Sequence, residues 1–143
     1  MKRLILFLAL VTPWQSVMAD SAAVKNHYPV QGTITKQEVL YLYTMKTRFW
    51  EDGTKITVFY QYRSAKAHKD FCKQVLEINP EKFDTILATA LNSGNASYFR
   101  MARNDNDVYS KVELIDGAIG YLDEDTLVLN KGGKDVVKIR ILP

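Results

Sequence analysis

The chain has 143 residues, 47% of them hydrophobic and 24% charged, with a single cysteine and a formal net charge of +3. One domain with a real core is the natural count at that length, and no second core is needed. One cysteine excludes an internal disulfide staple, and so small a charge excess gives no basis for nucleic acid or anionic lipid as a partner.

Lys2 and Arg3 precede an apolar run from Leu4 to Val11, followed by Pro13 and a small-residue boundary at Val17-Met18-Ala19. This pattern reads as a secretory signal peptide over residues 1–19, so residues 20–143 are expected as one domain in the periplasm. The run is too short to span a bilayer, and no cysteine follows it to carry a lipid. No stable membrane insertion is therefore expected after signal removal. Lys2 and Arg3 are the leader's only charges; without them 17 of the 19 basic side chains face 16 acidic ones, a net charge of +1.

From Asp20 to Gln31 the chain is mixed, with Val24 and the stretch Tyr28 to Val30 placed for an edge strand. Thr35 and Glu38 make a capping box, and Val39, Leu42 and Tyr43 recur at helical spacing, which predicts a helix from Thr35 to about Lys46. Arg48-Phe49-Trp50 leads to a turn at Asp52-Gly53. Lys55 to Tyr62 then carries β-branched and aromatic residues on both faces, as a central strand does. At Arg63-Ser64 the pattern becomes helical: Ala67, Phe71 and Val75 form one row, Cys72 and Leu76 the next, and Ser64 is the predicted N-cap. Cys72, beside Phe71, reads as a small buried hydrophobe.

Asn79-Pro80-Glu81 starts another helix, with asparagine as cap and proline at the first helical position. Phe83, Ile86, Leu87 and Ala90 supply its stripe, and Ser93-Gly94-Asn95 stops it. Tyr98 to Ala102 fits either strand or helix. Asn104 to Asp107 offers several caps for a helix carrying Val108, Val112 and Ile115, which Gly117 is expected to end in the left-handed conformation. Gly120, inside the apolar strand that follows, predicts a bulge or a close approach by another backbone or a ligand. Val136, Val137, Ile139 and Ile141 read as a final strand alternating around Lys138 and Arg140. Lys131-Gly132-Gly133-Lys134 is its preceding turn, and Thr126 to Leu129 is placed to pair with it as a hairpin. Strands alternating with helices imply an α/β sheet with helices on its faces.

Catalytic signatures are missing: there is no Gly-rich phosphate loop, no Gly-x-Ser-x-Gly elbow and no paired histidines. With no placed nucleophile, base or metal set, no residue is named as catalytic, and an enzyme is not expected. His27 and His68 stand far apart and read as surface histidines. Asp123-Glu124-Asp125 and Asn104-Asp105-Asn106-Asp107 lack the glycine and distal glutamate of a calcium loop, so they read as solvated loops and caps. The remaining site is the junction Tyr62-Arg63-Ser64-Ala65-Lys66, where a central strand ends and a helix begins. Ligands collect outside the carboxyl ends of strands in open α/β sheets, and the amides of a first helical turn attract anions. Arg63 can fork onto anion oxygens and Ser64 can donate, with Lys66 and Lys69 adding charge. The same residues also fit a plain capped helix start beside a solvated arginine.

Four blocks, in order and at family-like spacing, resemble the phosphate ABC transporter substrate-binding family, in particular its short, secreted, single-domain relatives. They are Thr33 to Tyr43, then Phe49-Trp50-Glu51-Asp52-Gly53 into Val58, then Arg63-Ser64 followed by Phe71, and last Gly117-Ala118-Ile119-Gly120-Tyr121. The resemblance covers about Thr33 to Leu142. It implies an α/β three-layer sandwich resembling one lobe of a type II periplasmic binding protein. It also implies phosphate or a similar small oxyanion as ligand, with Arg63 and Ser64 at the family's matching positions. Ala65-Lys66-Ala67 stands where the family has a Gly-Ser-Gly-Thr run and an aspartate. The expected ligand-binding residues are thus Arg63, Ser64, Ala65 and Lys66, with no cofactor and no metal. An ABC permease or another envelope protein is the expected partner. The alternative is a non-catalytic interaction module that keeps the fold without a ligand and presents its tyrosines and Phe49-Trp50 to a protein.

Overall fold

Three adjacent parallel strands make up one side of the main sheet, and the alternation of their side chains decides where the helices pack. The computed structural model describes residues 22–25, 33–123, 125–126 and 136–143; the expected leader, His27, the stretch Tyr28 to Val30 and most of the expected Thr126–Leu129 hairpin lie outside them. Strand β3 (Thr57–Gln61) lies between β4 (Phe99–Ala102) and β5 (Ala118–Tyr121), parallel to both. The central strand expected from its two apolar faces is therefore present. Strand β1 (Ala22–Lys25) pairs antiparallel with β5 on one side and β6 (Val136–Lys138) on the other, giving the order β4-β3-β5-β1-β6. Val24 thus belongs to an interior strand, not the expected edge, because β6 returns from the far end of the chain to cover it. The last apolar run is split. Ile139 is fully buried between β6 and β7 (Arg140–Leu142), and β7 pairs in parallel with β2 (Thr33–Thr35), setting Ile34 opposite Ile141.

Period-two alternation sends Val58, Ile119 and Tyr121 to one face of the sheet and Phe59 and Ala118 to the other. The first face is covered by α1 (Lys36–Tyr43), α2 (Lys66–Phe71) with the π-helical turn Cys72–Leu76 that continues it, and α3 (Pro80–Asn92). The second is covered by α4 (Asp105–Leu114) through Val108, Tyr109 and Val112. Helices on both faces of one sheet make the three-layer α/β sandwich that the sequence and its family resemblance implied.

Local chemistry explains most of the boundaries. The Thr35 hydroxyl accepts from the Glu38 amide at 3.2 Å while the Glu38 carboxylate accepts from the Thr35 amide at 2.8 Å, completing the expected capping box. Helix α1 ends at Tyr43, three residues before the expected Lys46, because Met45 takes a positive φ of 60°. Asn79 caps α3 by accepting from Lys82 N at 2.8 Å, with Pro80 at its first position. Tyr98 to Ala102 resolves into a short 3-10 turn, Ala96–Tyr98, and then β4.

The two glycines act differently from expectation. Helix α4 ends at Leu114 with Ile115 already extended, so Gly117 does not stop it. Gly117 instead has φ 75° in the turn that follows, where an added Cβ would lie 2.4 Å from the Lys55 carbonyl oxygen. The Trp50 indole N–H closes that turn by donating to the Gly117 carbonyl at 2.8 Å. At Gly120 a Cβ would meet Val108 Cγ1 at 2.6 Å. The close approach predicted there is real, but the partner is a valine of α4, not a backbone or a ligand.

Candidate functional site

The chain leaves β3 at Gln61 and turns through Tyr62 to Ala65, whose amide donates to the Tyr62 carbonyl at 2.9 Å. That turn places Ala65, not the expected Ser64, at the N-cap of α2, and no side chain caps the helix. Ser64 stands exposed one residue too early. The amides of the first turn of α2 therefore lack the side-chain acceptor that most helix starts supply.

Ala65 and Lys66 line an open cavity of about 390 Å³ above the carboxyl ends of the parallel strands. Arg103, Asn104 and Asp105 face them from the start of α4, with Gln61 and Asp123 between. Two helix starts thus share one polar recess, the geometry expected where parallel strands release their crossovers. Arg63 and Ser64 are not among the residues lining it. The Arg63 guanidinium is turned toward α3, where it pairs with Glu81 through Nη2 and with Asp84 Oδ2 through Nη1 at 3.2 Å. Lys66 Nζ bonds Asp70 at 2.6 Å and lies 4.0 Å from Asp123, and the Asp70 bond followed by the Asp123 charge raises its pKa. Asp107 is held below the usual carboxylate range, first by the Arg103 amide and then by Lys111.

The contribution of Asn104 and Asp105 was hidden because the sequence presents them as candidate helix caps, and Arg103 stands in no motif. Asn104 does cap α4, accepting from Asp107 N at 2.9 Å. Asp105 reaches further: Oδ1 accepts from Gln61 Nε2 at 2.7 Å, and Oδ2 accepts from Asp123 N at 3.1 Å and the Thr126 hydroxyl at 3.4 Å. Gln61 Nε2 also donates to the Tyr121 carbonyl at 3.0 Å, so the ends of β3 and β5 and the start of α4 are tied beneath the recess.

Below this floor lies a polar group in the apolar interior. His68, expected at the surface, is only 1% exposed. It stands one turn before Cys72 and two before Leu76, on the same inward row, and its ring meets Phe83 edge-on at 4.9 Å. What makes a histidine tolerable there is the Tyr121 hydroxyl, 2.5 Å from His68 Nδ1. The same hydroxyl oxygen accepts the Gln61 amide at 2.8 Å. Trp50 is likewise buried, so the aromatic face expected of Phe49-Trp50 reduces to Phe49. No group of histidine, cysteine, aspartate and glutamate suited to a metal ion occurs among the described residues.

No protein-family model matches the chain, and no curated protein does. Solved structures do match. The chain is similar to PstS from Borrelia burgdorferi, with a TM-score of 0.60 at 12% identity over 85% of this chain and 46% of that one. It is similar to an ABC-type phosphate transport receptor from Vibrio cholerae, with a TM-score of 0.61 at 14% identity over 85% and 45%. A putative phosphate ABC transporter substrate-binding protein with bound phosphate from Clostridium perfringens gives 0.56 at 17% identity over 82% and 51%. The chain thus spans about half the length of these proteins, and at such low identity the likeness establishes the fold: one lobe of a phosphate-binding-protein architecture.

Proposed function

We propose that this chain is a periplasmic solute-binding protein that takes phosphate or a similar small oxyanion at the start of α2, in service of an ABC permease. The observation that carries the reading is the uncapped first turn of α2, which opens with Lys66 into the recess above the parallel strand ends. Backbone amides aligned with a helix axis and a nearby ammonium favour a compact anion over a neutral solute. The likeness to two proteins whose names refer to phosphate supports the same ligand. No described helix is long and apolar enough to cross a membrane.

In this reading Lys66 supplies its amide and charge from within the recess, and Ala65, whose own amide is bound to the Tyr62 carbonyl, forms its wall. Arg63 and Ser64, just before them, join only if Arg63 exchanges Glu81 and Asp84 for the ligand. An anion wet on one side gains little from each hydrogen bond, so binding is weak and depends strongly on Lys66. Thermal unfolding with increasing phosphate and sulfate tests this, since a ligand that binds only the folded chain raises its melting temperature. The unmutated protein should shift, Lys66→Ala should lose most of the shift, and Arg63→Ala should lose part. No shift with either anion sinks the reading. An interaction module would then stand in its place, to be sought by gel filtration at several concentrations.

A further inference from the structure

The hydroxyl of Tyr121 has one proton and two neighbours that constrain it. The Gln61 N–H can only donate, so the Tyr121 oxygen accepts there and its own proton goes to His68 Nδ1. His68 is thereby fixed as the neutral tautomer with its proton on Nε2, which lies 3.5 Å from Cys72 Sγ. The result is a one-way chain of donors: Gln61 N–H to Tyr121, Tyr121 O–H to His68, His68 N–H to the Cys72 sulfur. It runs from the end of β3 through β5 into α2 and the π-helical turn.

We infer that His68 is a proton-operated latch: neutral, it pins α2 and the following turn to the sheet, and protonated, it releases them. A second proton on the ring has to sit on Nδ1, facing an oxygen whose own hydrogen points at it. Tyr121 would have to turn that hydrogen away. Phe71, stacked on its ring at 4.1 Å, carries no acceptor, and Tyr43, with its ring at 6.1 Å, is oriented by its own bond to the Phe59 carbonyl at 3.1 Å, so a rotated hydrogen gives up a bond it has for one it would have to find. A buried polar hydrogen left without a partner and a buried charge are both costly, so the imidazolium is accommodated by lifting α2 into water.

The charges near His68 do not rescue the protonated form. Asp84 on α3 favours it, but Asp84 is already paired with Arg63, which opposes it from the β3–α2 turn. Cys72 on the π-helical turn, Tyr121 on β5 and Tyr43 on α1 are all neutral here, burial pushing the Cys72 thiol up to about 12 and both phenols upward. Burial, the largest influence, holds the His68 pKa below the ordinary histidine value. The unfolded or opened segment therefore takes the proton first. Stability is complete above about pH 6.5 and falls as pH drops toward the lower folded-state value. The segment that moves is the one that carries His68: α2 is six residues long, has no side-chain cap, and continues into a turn ending at Glu77 with φ 57°.

The test is amide hydrogen exchange on the full chain between pH 7.5 and 5.0, expressed as protection relative to the intrinsic rate at each pH. Protection over residues 66–76 should fall roughly tenfold or more in acid while β3 and β5 keep theirs. His68→Gln, which cannot titrate, should hold its protection constant over the same range. A wild-type segment that loses no protection, or a His68→Gln variant that loses it equally, overturns the latch. Should His68→Gln not fold, proton NMR titration of His68 in the folded protein decides instead, with His27→Gln to assign the two ring signals. A His68 that titrates at or above the free histidine value overturns the proposal. Neither measurement involves an anion, so the latch and the oxyanion reading stand or fall separately.

Discussion

The two faces of the sheet are held by different physics. Against α4 the contact is dry and set by shape: Val108 and Val112, both fully buried, lie over Gly120 so closely that no side chain fits between. Against α1, α2 and α3 the core is larger and holds His68, Cys72, Tyr43 and Tyr121, with polar atoms satisfied in sequence. A face locked by volume responds to methyl groups and ignores pH. A face locked partly by hydrogen bonds responds to protons, and here that face carries the helix whose start opens into the recess.

Substitutions can break this contrast at either end. Gly120→Val should cost about 3 kcal/mol, at the upper end of overpacking penalties, since Val108 cannot retreat from α4's buried side. Urea denaturation at pH 7.5 and 5.5 should return the same loss; a loss that differs between them would mean the α4 face is not purely steric. Tyr121→Phe keeps the ring and strands both the Gln61 N–H and His68 Nδ1. It should cost about 2 kcal/mol at pH 7.5, the range for an unsatisfied buried group, and less at pH 5.5 where the wild type has already lost the same bond. The smallest effect concerns the helix starts. Ala65 already has extended cap geometry, φ −63° and ψ 135°, so Ala65→Ser should stabilise by roughly 0.5 kcal/mol as the missing cap is restored. Thermal melts read that gain, and the same variant should blunt any phosphate shift because the new hydroxyl takes an amide the anion would use.

Legibility in the sequence followed the range of the interaction. Thr35, Asn79 and Asn104 announce their helices because each cap bonds an amide three residues away. The central strand β3 declares itself by apolar residues on both faces. The place of β1 was not legible, since being interior depends on β6 more than a hundred residues later. Nor was the burial of His68, because the residue that makes it acceptable, Tyr121, is 53 positions distant. The site was half legible: the β3–α2 junction stands out locally, but Ser64 misses the cap by one residue. Asp105 and Arg103 enter only through the folding of α4 over the same strand ends.

The split of the last apolar run bears on the order in which the molecule assembles. β6 closes the far side of the five-stranded sheet while β7, one residue on, completes the pair with β2 just ahead of α1. Both contacts span almost the whole chain, and contacts of such long sequence separation form slowly because a large loop must close first. The parallel trio and its crossovers can gather earlier from nearer neighbours. Ile139, buried between the two seams, then acts as the closing stitch, and its loss should slow folding more than it speeds unfolding only if that stitch is already tied at the barrier.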